Sequence, residues 1–429
     1  MTRYMADAMP VGASIGIERD GEVLVRRSWG LADREARKPA TPDTVYRLGS
    51  TSKQFTAVLV LRLVERGVVS LDDPVDRHLP QLPRKWRGTL VGQLFNHTSG
   101  VPDINEAGTR DWQKTFAPDG LLGLVAERHL KFAPGTQYDY SNTNYLMLAM
   151  IAAKHYAKPL AELLRDELFG PLRMTSTRYC EDESGTNGQA RGYVHVDGRI
   201  VKAPYVNISH SYGLAGVCST VADVGLWNRA LHSGQVVNAA SYALMTTPQG
   251  AAAADEDRYA FGLMVRPIAF RRTFMHTGHV VGFESVTSWT PLGAMSVTIL
   301  VNTSQVPQTS LHRDLTRLAF GLPVTIVDSI AGPGPSASAL KKYAGTYTIQ
   351  FPGRSLDIRF WVKGSTLMSR ATDQDEAPLR SAGPDTFGTV EDWTVRFTFT
   401  LENGTVTGLD FEQDGERFRG VRKKSQPER

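Results

Sequence analysis

Ser50-Thr51-Ser52-Lys53-Gln54-Phe55-Thr56-Ala57-Val58-Leu59-Val60-Leu61-Arg62-Leu63-Val64-Glu65-Arg66-Gly67 is the stretch around which the rest of the chain arranges itself. From Gln54 to Arg66 it is apolar nearly all round and it stops at a glycine, so it reads as a helix buried in the middle of a domain. Its first turn holds a hydroxyl, Ser50, and an amine, Lys53, three residues apart on one face. A serine hydroxyl is a poor nucleophile at neutral pH and needs a proton acceptor within hydrogen-bond reach. A lysine in a domain interior supplies one, because desolvation lowers its pKa until it can act as a base near neutrality. The tetrapeptide alone decides little, since Ser338-Ala339-Leu340-Lys341 repeats it in a stretch that reads as linker.

Two further elements lie downstream. Tyr140-Ser141-Asn142 follows a Pro134-Gly135 turn in a tyrosine-rich loop, and Leu146, Met147, Met150 and Ile151 then give a helix with a buried face. A loop at a helix entrance can present a phenol that relays a proton and an amide that both donates and accepts. The alternative is a packed aromatic beside a helix cap, and Tyr205-Val206-Asn207 shows how cheap the pattern is. His276-Thr277-Gly278, followed by His279, sits on a strand just before a hairpin built from Ser285 to Trp289 and Ala294 to Val301, with Thr290-Pro291-Leu292-Gly293 as the turn. Glycine at 278 would let a substrate backbone approach the strand edge. A lone strand histidine is also often hydrogen-bonded in place for structure alone, and His232-Ser233-Gly234 at a helix end is a decoy.

In this order and with these flanks, the three elements resemble the beta-lactamase-like serine hydrolases, the superfamily of class C beta-lactamases, DD-peptidases, D-aminopeptidases and related esterases. The likeness extends to Thr41-Pro42-Asp43-Thr44, Tyr46-Arg47-Leu48-Gly49, Leu71-Asp72-Asp73-Pro74-Val75, Asn96-His97-Thr98-Ser99-Gly100-Val101-Pro102-Asp103, Gly170-Pro171-Leu172-Arg173-Met174 and the segment Gly213 to Thr220. It covers about residues 10 to 320. The resemblance implies that Ser50 attacks the substrate carbonyl and becomes acylated, and that Lys53 and Tyr140 share the proton work, with either as the base. It further implies that backbone N–H groups of Ser50 and His279 form the oxyanion hole. Asn142 would hold the acyl-side amide, Thr277 and Gly278 would line the substrate site, and His276 would close the network or contact the leaving group.

One departure bears on substrate. Beta-lactamases and many DD-peptidases of the superfamily carry lysine in the third motif, where its charge helps to bind a carboxylate; here the position is His276. An imidazole is mostly neutral at pH 7 unless a carboxylate raises its pKa, so the anchor is weakened. Hydrolysis of amides or esters is therefore expected, most of all by a D-stereoselective peptidase or amidase like the D-aminopeptidases, or by an esterase. The competing readings are a class C-type beta-lactamase or DD-carboxypeptidase and, in another class, a non-hydrolytic penicillin-binding or structural homologue.

With 429 residues and 41% hydrophobic residues, the chain is long enough for two domains with real cores. Residues 332–338, Gly-Pro-Gly-Pro-Ser-Ala-Ser, form a breaker-rich linker between a catalytic domain at 1–331 and a tail at 339–429. The expected fold of the first is α/β (α+β): the hairpin of Val11 to Glu18 and Glu22 to Trp29, turning at Arg19-Asp20-Gly21, joins the hairpin near 285 to 301 in one antiparallel sheet. The Ser50 helix packs against that sheet and a helical lobe fills residues 50 to 235, in α/β/α layers. In the tail, Leu356, Ile358 and Phe360 alternate with polar residues, as do Val395, Phe397 and Phe399. Turns such as Glu402-Asn403-Gly404 and Gln413-Asp414-Gly415 recur, which predicts an all-β antiparallel barrel. The tail resembles the small lipocalin-like barrels that follow the catalytic domain in some relatives. Its roles left open are restricting the cleft, stabilising the protein, or pairing two copies as a homodimer.

The net charge of +4 is small for this length and shows no basic stripe, which argues against nucleic acid; Arg422-Lys423-Lys424 reads as a solvated tail. Residues 1–10 carry no apolar signal region, and no apolar run is long enough to span a bilayer. Cys180 and Cys218 form no motif and read as two free, partly buried thiols, which together with the N-terminus points to the cytoplasm. His276 and His279 would point to opposite faces of a strand and no ligand cluster supports a metal. No G-x-S-x-G elbow or phosphate-binding loop occurs. No cofactor is implied, and the partner expected is a small-molecule or short-peptide substrate.

Overall fold

The computed structural model describes residues 10–108, 111–180, 188–196, 199–255, 257–268, 271–322, 324, 335–351, 354–372, 376–389, 395–413 and 416–423. The chain divides into two compact units, Met1–His312 and Arg313–Arg429.

In the first unit the opening hairpin turns at Asp20 and Gly21, both with positive φ (50° and 84°), the backbone of a tight two-residue turn. Its strands, Gly12–Arg19 and Glu22–Asp33, join a seven-stranded antiparallel sheet. The spatial order is Lys38–Pro39, Glu22–Asp33, Gly12–Arg19, Met295–Val301, Phe283–Thr290, Arg271–Val280 and Met264–Ile268. The expected union of the two hairpins is thus made by Gly12–Arg19 against Met295–Val301, with Ile15 opposite Ile299. These two strands are buried almost throughout, as the centre of a sheet covered on both faces requires. Two adjacent residues of the next strand show the covering. Thr287 is bonded by Asn228 Nδ2 (2.8 Å), from the helix Val221–His232, and Ser288 Oγ meets His312 Nε2 (2.7 Å), from the helix Gln308–Ala319. Successive side chains of a strand point to opposite faces, so helices lie on both sides, the α/β/α layering.

The helix Lys53–Glu65 is buried along most of its length, with Phe55, Ala57, Val58, Leu59, Val60, Leu61 and Leu63 in the core. It packs on the helix Asn142–Tyr156, while the short 3-10 turn Gly49–Ser52 that precedes it lies on the strands Arg271–Val280 and Phe283–Thr290. The sheet contact expected of the helix is therefore made by its entry turn.

The two cysteines correct the sequence reading. Cys180 and Cys218 are joined in a disulfide, with Cα atoms 5.1 Å apart, and no free cysteine remains. The short strand Arg178–Tyr179 pairs with Val217–Ser219, and this juxtaposition of residues 38 apart in sequence leaves no local pattern to read. The thiol argument for a reducing cytoplasm falls with it. Among the described residues no helix is long and apolar enough to cross a membrane.

The second unit holds a closed barrel of eight antiparallel strands between Gly345 and Arg422. The alternation read in the sequence fills it: Ile358 and Phe360 from one strand and Phe397 and Phe399 from another meet Tyr347, Phe387, Leu409 and Phe411 in one core. Asn403 and Gly404 make the turn between Arg396–Glu402 and Thr405–Gln413. Of the expected linker, residues 332–334 lie outside the described residues and Ala337–Leu340 is a short helix capped by Ser336. Asp414, Gly415, Lys424 and residues 1–9 also lie outside them.

Candidate functional site

The entry turn of the buried helix is tied to the sheet by hydroxyls. Ser285 Oγ donates to the Leu48 carbonyl (2.7 Å) and shares a hydrogen bond with Thr51 Oγ1 (2.9 Å). Gly49 has φ +54°, and a Cβ there would lie 2.7 Å from His279 N; a Cβ on Gly278 would collide with the Leu48 carbonyl. Both glycines are demanded by this approach, which sets the Gly49–Ser50 peptide against the Gly278–His279 peptide. The close neighbour of Gly278 is thus the chain's own backbone, where a substrate backbone was expected.

Lys53 is fully buried, and its Nζ lies 3.0 Å from Ser50 Oγ, 2.9 Å from Asn142 Oδ1 and 3.1 Å from the Leu214 carbonyl. Burial pushes its pKa from 10.5 down to about 7, with the Asp103 carboxylate opposing. The rings of Tyr140 and Tyr145 stand 4.9 and 5.5 Å from the same nitrogen. The Tyr140 phenol faces Ser50, and burial raises its pKa, so it remains protonated at neutral pH. Asn142 is the first residue of its helix, and Nδ2 donates to Asp103 Oδ2 (3.0 Å). With both ends of the amide engaged inside the protein, one Nδ2 hydrogen is left for a substrate.

His276 is 1% exposed and its ring nitrogens are both taken. Nδ1 meets the carbonyl of Thr277 (2.5 Å) and Nε2 the hydroxyl of Tyr259 (2.8 Å). Since a carbonyl only accepts, Nδ1 carries the proton and Nε2 accepts from Tyr259. Burial, with Lys53 adding to it, pushes the imidazole down to about 3, so the third motif is neutral at pH 7. Thr277 is half-buried beside it, and His279 turns its exposed ring to Glu284 (2.8 Å), which raises its pKa. The two histidines serve different partners, as their alternation along the strand requires.

The first turn of the helix, the tyrosine loop and the strand therefore meet around Lys53. Four participants went unassigned in the sequence: Asp103, Tyr259, His97 and the Leu214 carbonyl. Asp103 and His97 stood in the stretch Asn96 to Asp103, and Leu214 in the stretch Gly213 to Thr220, without a role; Tyr259 gave no signal. His97 is buried, with its ring 4.3 Å from that of Tyr140 and 4.6 Å from that of Tyr259, and burial holds it well below its usual pKa. The decoys are accounted for separately. Asn207 caps the turn Ile208–Ser211, and His232 is bonded to Tyr242 (2.8 Å) and stacked on Trp289.

A serine, a lysine and a tyrosine converging at a sheet edge beneath a helical lobe define a class of acyl-transferring serine hydrolases. Comparison with known proteins makes this specific: residues 1–320 match the model of the beta-lactamase family, and the chain belongs to it. Its fold is that of this family. It is 30% identical over 288 residues to a D-aminopeptidase of Brucella canis, an alignment covering 64% of this chain and 52% of that protein. The chain thus spans about half the length of the curated relatives it matches. An octameric penicillin-binding protein homologue from Pyrococcus abyssi shares the fold with a TM-score of 0.70 at 23% identity, over 98% of both chains. D-amino acid amidase from Ochrobactrum anthropi does so with a TM-score of 0.66 at 24% identity, over 74% of this chain and 96% of that one.

Proposed function

We propose that this chain is a D-stereoselective amidase or peptidase that works through an acyl-enzyme at Ser50. The observation that carries the reading is the environment of Lys53: a dry amine with a pKa near 7, 3.0 Å from a serine hydroxyl. In its neutral form Lys53 takes the Ser50 proton as Oγ adds to the substrate carbonyl carbon. The resulting oxyanion is held by the N–H groups of Ser50 and His279. Tyr140, kept protonated by burial, passes a proton to the departing amine and is re-supplied by Lys53, which assigns the base to Lys53. Collapse of the intermediate leaves an ester at Ser50, and water then repeats the sequence to release the acid.

Two things support amides of D-amino acids as substrates. The similarity to D-aminopeptidases and to the D-amino acid amidase fold is one. The neutral His276 is the other, since it offers no fixed charge to the carboxylate that beta-lactams and D-Ala-D-Ala peptides carry. Parallel assays on D-alanine amide, L-alanine amide, nitrophenyl esters, nitrocefin and a D-Ala-D-Ala peptide test this. The expected result is hydrolysis of D-alanine amide well above its L-enantiomer and above nitrocefin. Turnover of nitrocefin far exceeding that of the amides would overturn it.

A further inference from the structure

We propose that Asp103 is a positioning residue for Lys53: by accepting a hydrogen from the Asn142 amide it fixes which end of that amide faces the amine, and so which proton the amine can take. The proposal rests on the reading of Ser50 and Lys53 as nucleophile and base, and deepens it. A neutral amine has two hydrogens and one lone pair. Around Lys53 Nζ stand three neighbours, of which the Leu214 carbonyl and Asn142 Oδ1 only accept, whereas the Ser50 hydroxyl can also donate. The two hydrogens are therefore directed to Leu214 and Asn142, and the lone pair is left for the O–H of Ser50.

This selection depends on the amide. Were the Asn142 side chain reversed, Nδ2–H would point at the amine and compete with Ser50 for the lone pair. Asp103 prevents the reversal, because a carboxylate has only acceptors and would confront Oδ1 of a flipped amide. Its own position is fixed on every side. Oδ1 accepts from Asn105 N (2.9 Å), and the Thr143 hydroxyl brackets the residue by donating to the Pro102 carbonyl (2.6 Å) and accepting from Ile104 N (2.9 Å). Asp103 is 9% exposed, so water competes little for its oxygens. The other groups facing the amine are the phenols of Tyr140 and Tyr145 and the neutral imidazoles of His97 and His276; Asp103 is the carboxylate that counters the effect of burial on Lys53.

The test is the rate at which a fluorophosphonate probe labels Ser50 in the full chain, followed against pH, for the parent protein and Asp103→Asn. The substituted amide is isosteric but can offer either end to Asn142. Labelling at about pH 8 is expected to slow roughly 10-fold to 100-fold, the size of a misplaced reacting group. The midpoint of the pH profile moves to lower pH, because removing the carboxylate removes what raises the Lys53 pKa. A packing defect that admitted water would move that midpoint the other way, toward the ordinary lysine value. Equal labelling rates, or an unmoved midpoint, overturn the assignment of Asp103. Failure of the parent protein to label is a different result and overturns the reading of Ser50 itself. If Asp103→Asn does not fold, Asp103→Ser carries the same expectation. In an Asn142→Ala background the Asp103 substitution should slow labelling no further, and independent losses would again overturn the proposal.

Discussion

The two units bury different things. The interior of the first is threaded with polar side chains: Ser52, Lys53, His97, Asn142, Asn144 and His276 are all buried near one another. In the barrel, Ser369 is the one buried polar residue among those described, and the space is filled by aromatic rings. A buried polar group costs stability unless it is bonded, and a buried amine loses its charge more readily than an exposed one. The first unit accepts that cost where an unprotonated lysine is wanted. The described interior of the barrel is instead a cluster of buried aromatic and aliphatic side chains.

Five measurements break or sharpen this contrast. The largest effect is expected for Ser50→Ala, which should lower turnover by roughly 10,000-fold or more while leaving thermal unfolding unchanged. A wild-type rate from this variant would remove the catalytic meaning of the polar interior. In the barrel, Phe360→Ala should cost about 3–5 kcal/mol in denaturant unfolding, through the cavity it opens among Tyr347, Phe397 and Phe399. The labelling rate of Ser50 should not change with it. Opening the Cys180–Cys218 link by the double change to serine should destabilise by about 3–4 kcal/mol, given the 38-residue separation that the bond closes. Unaltered stability would mean that the unfolded chain gains nothing on its release. Tyr259→Phe strips the donor from a buried imidazole nitrogen and should cost about 1–3 kcal/mol in stability, with a slower acylation rate.

The smallest effect in size, and the sharpest in meaning, is the pH profile of Ser50 labelling. A lysine pushed down to about 7 is protonated and inactive below that value and free above it, so the rate should rise with pH to half its plateau near 7. A midpoint near the ordinary lysine value would show the amine to be hydrated in solution. The same shift has a stability counterpart. Between about 7 and 10.5 the folded protein holds one proton fewer at Lys53 than the unfolded chain does, so this group's contribution to stability grows more favourable as pH rises through that window.

How far the sequence could be read follows from distance along the chain. The pair Ser50 and Lys53 is legible because i and i+3 meet on any helix, and the barrel because a period of two survives in Leu356 to Phe360 and Val395 to Phe399. The meeting of Ser50 with residues 140 and 276 rests on no spacing; only the resemblance to a family suggested it. Asp103 could be quoted but not assigned, since its role passes through Asn142 and exists only when the loop and the helix are packed together. The neutrality of His276 was half visible, in the residue type, and half hidden in the burial that enforces it. The disulfide was read as two thiols because pairing across 38 residues has no signature in a chain with two cysteines.

At the seam between Leu48–Gly49 and Gly278–His279 main chain meets main chain, with Ser285 Oγ bonded to the Leu48 carbonyl beside it. The separation between the attacking hydroxyl and the strand amide is thereby set by main chain resting on main chain, a contact that no rotamer change can alter. Any evolved tuning of the cleft must then come from its walls, at the tyrosine loop and beyond, because this hinge-free joint tolerates no extra atom on either side.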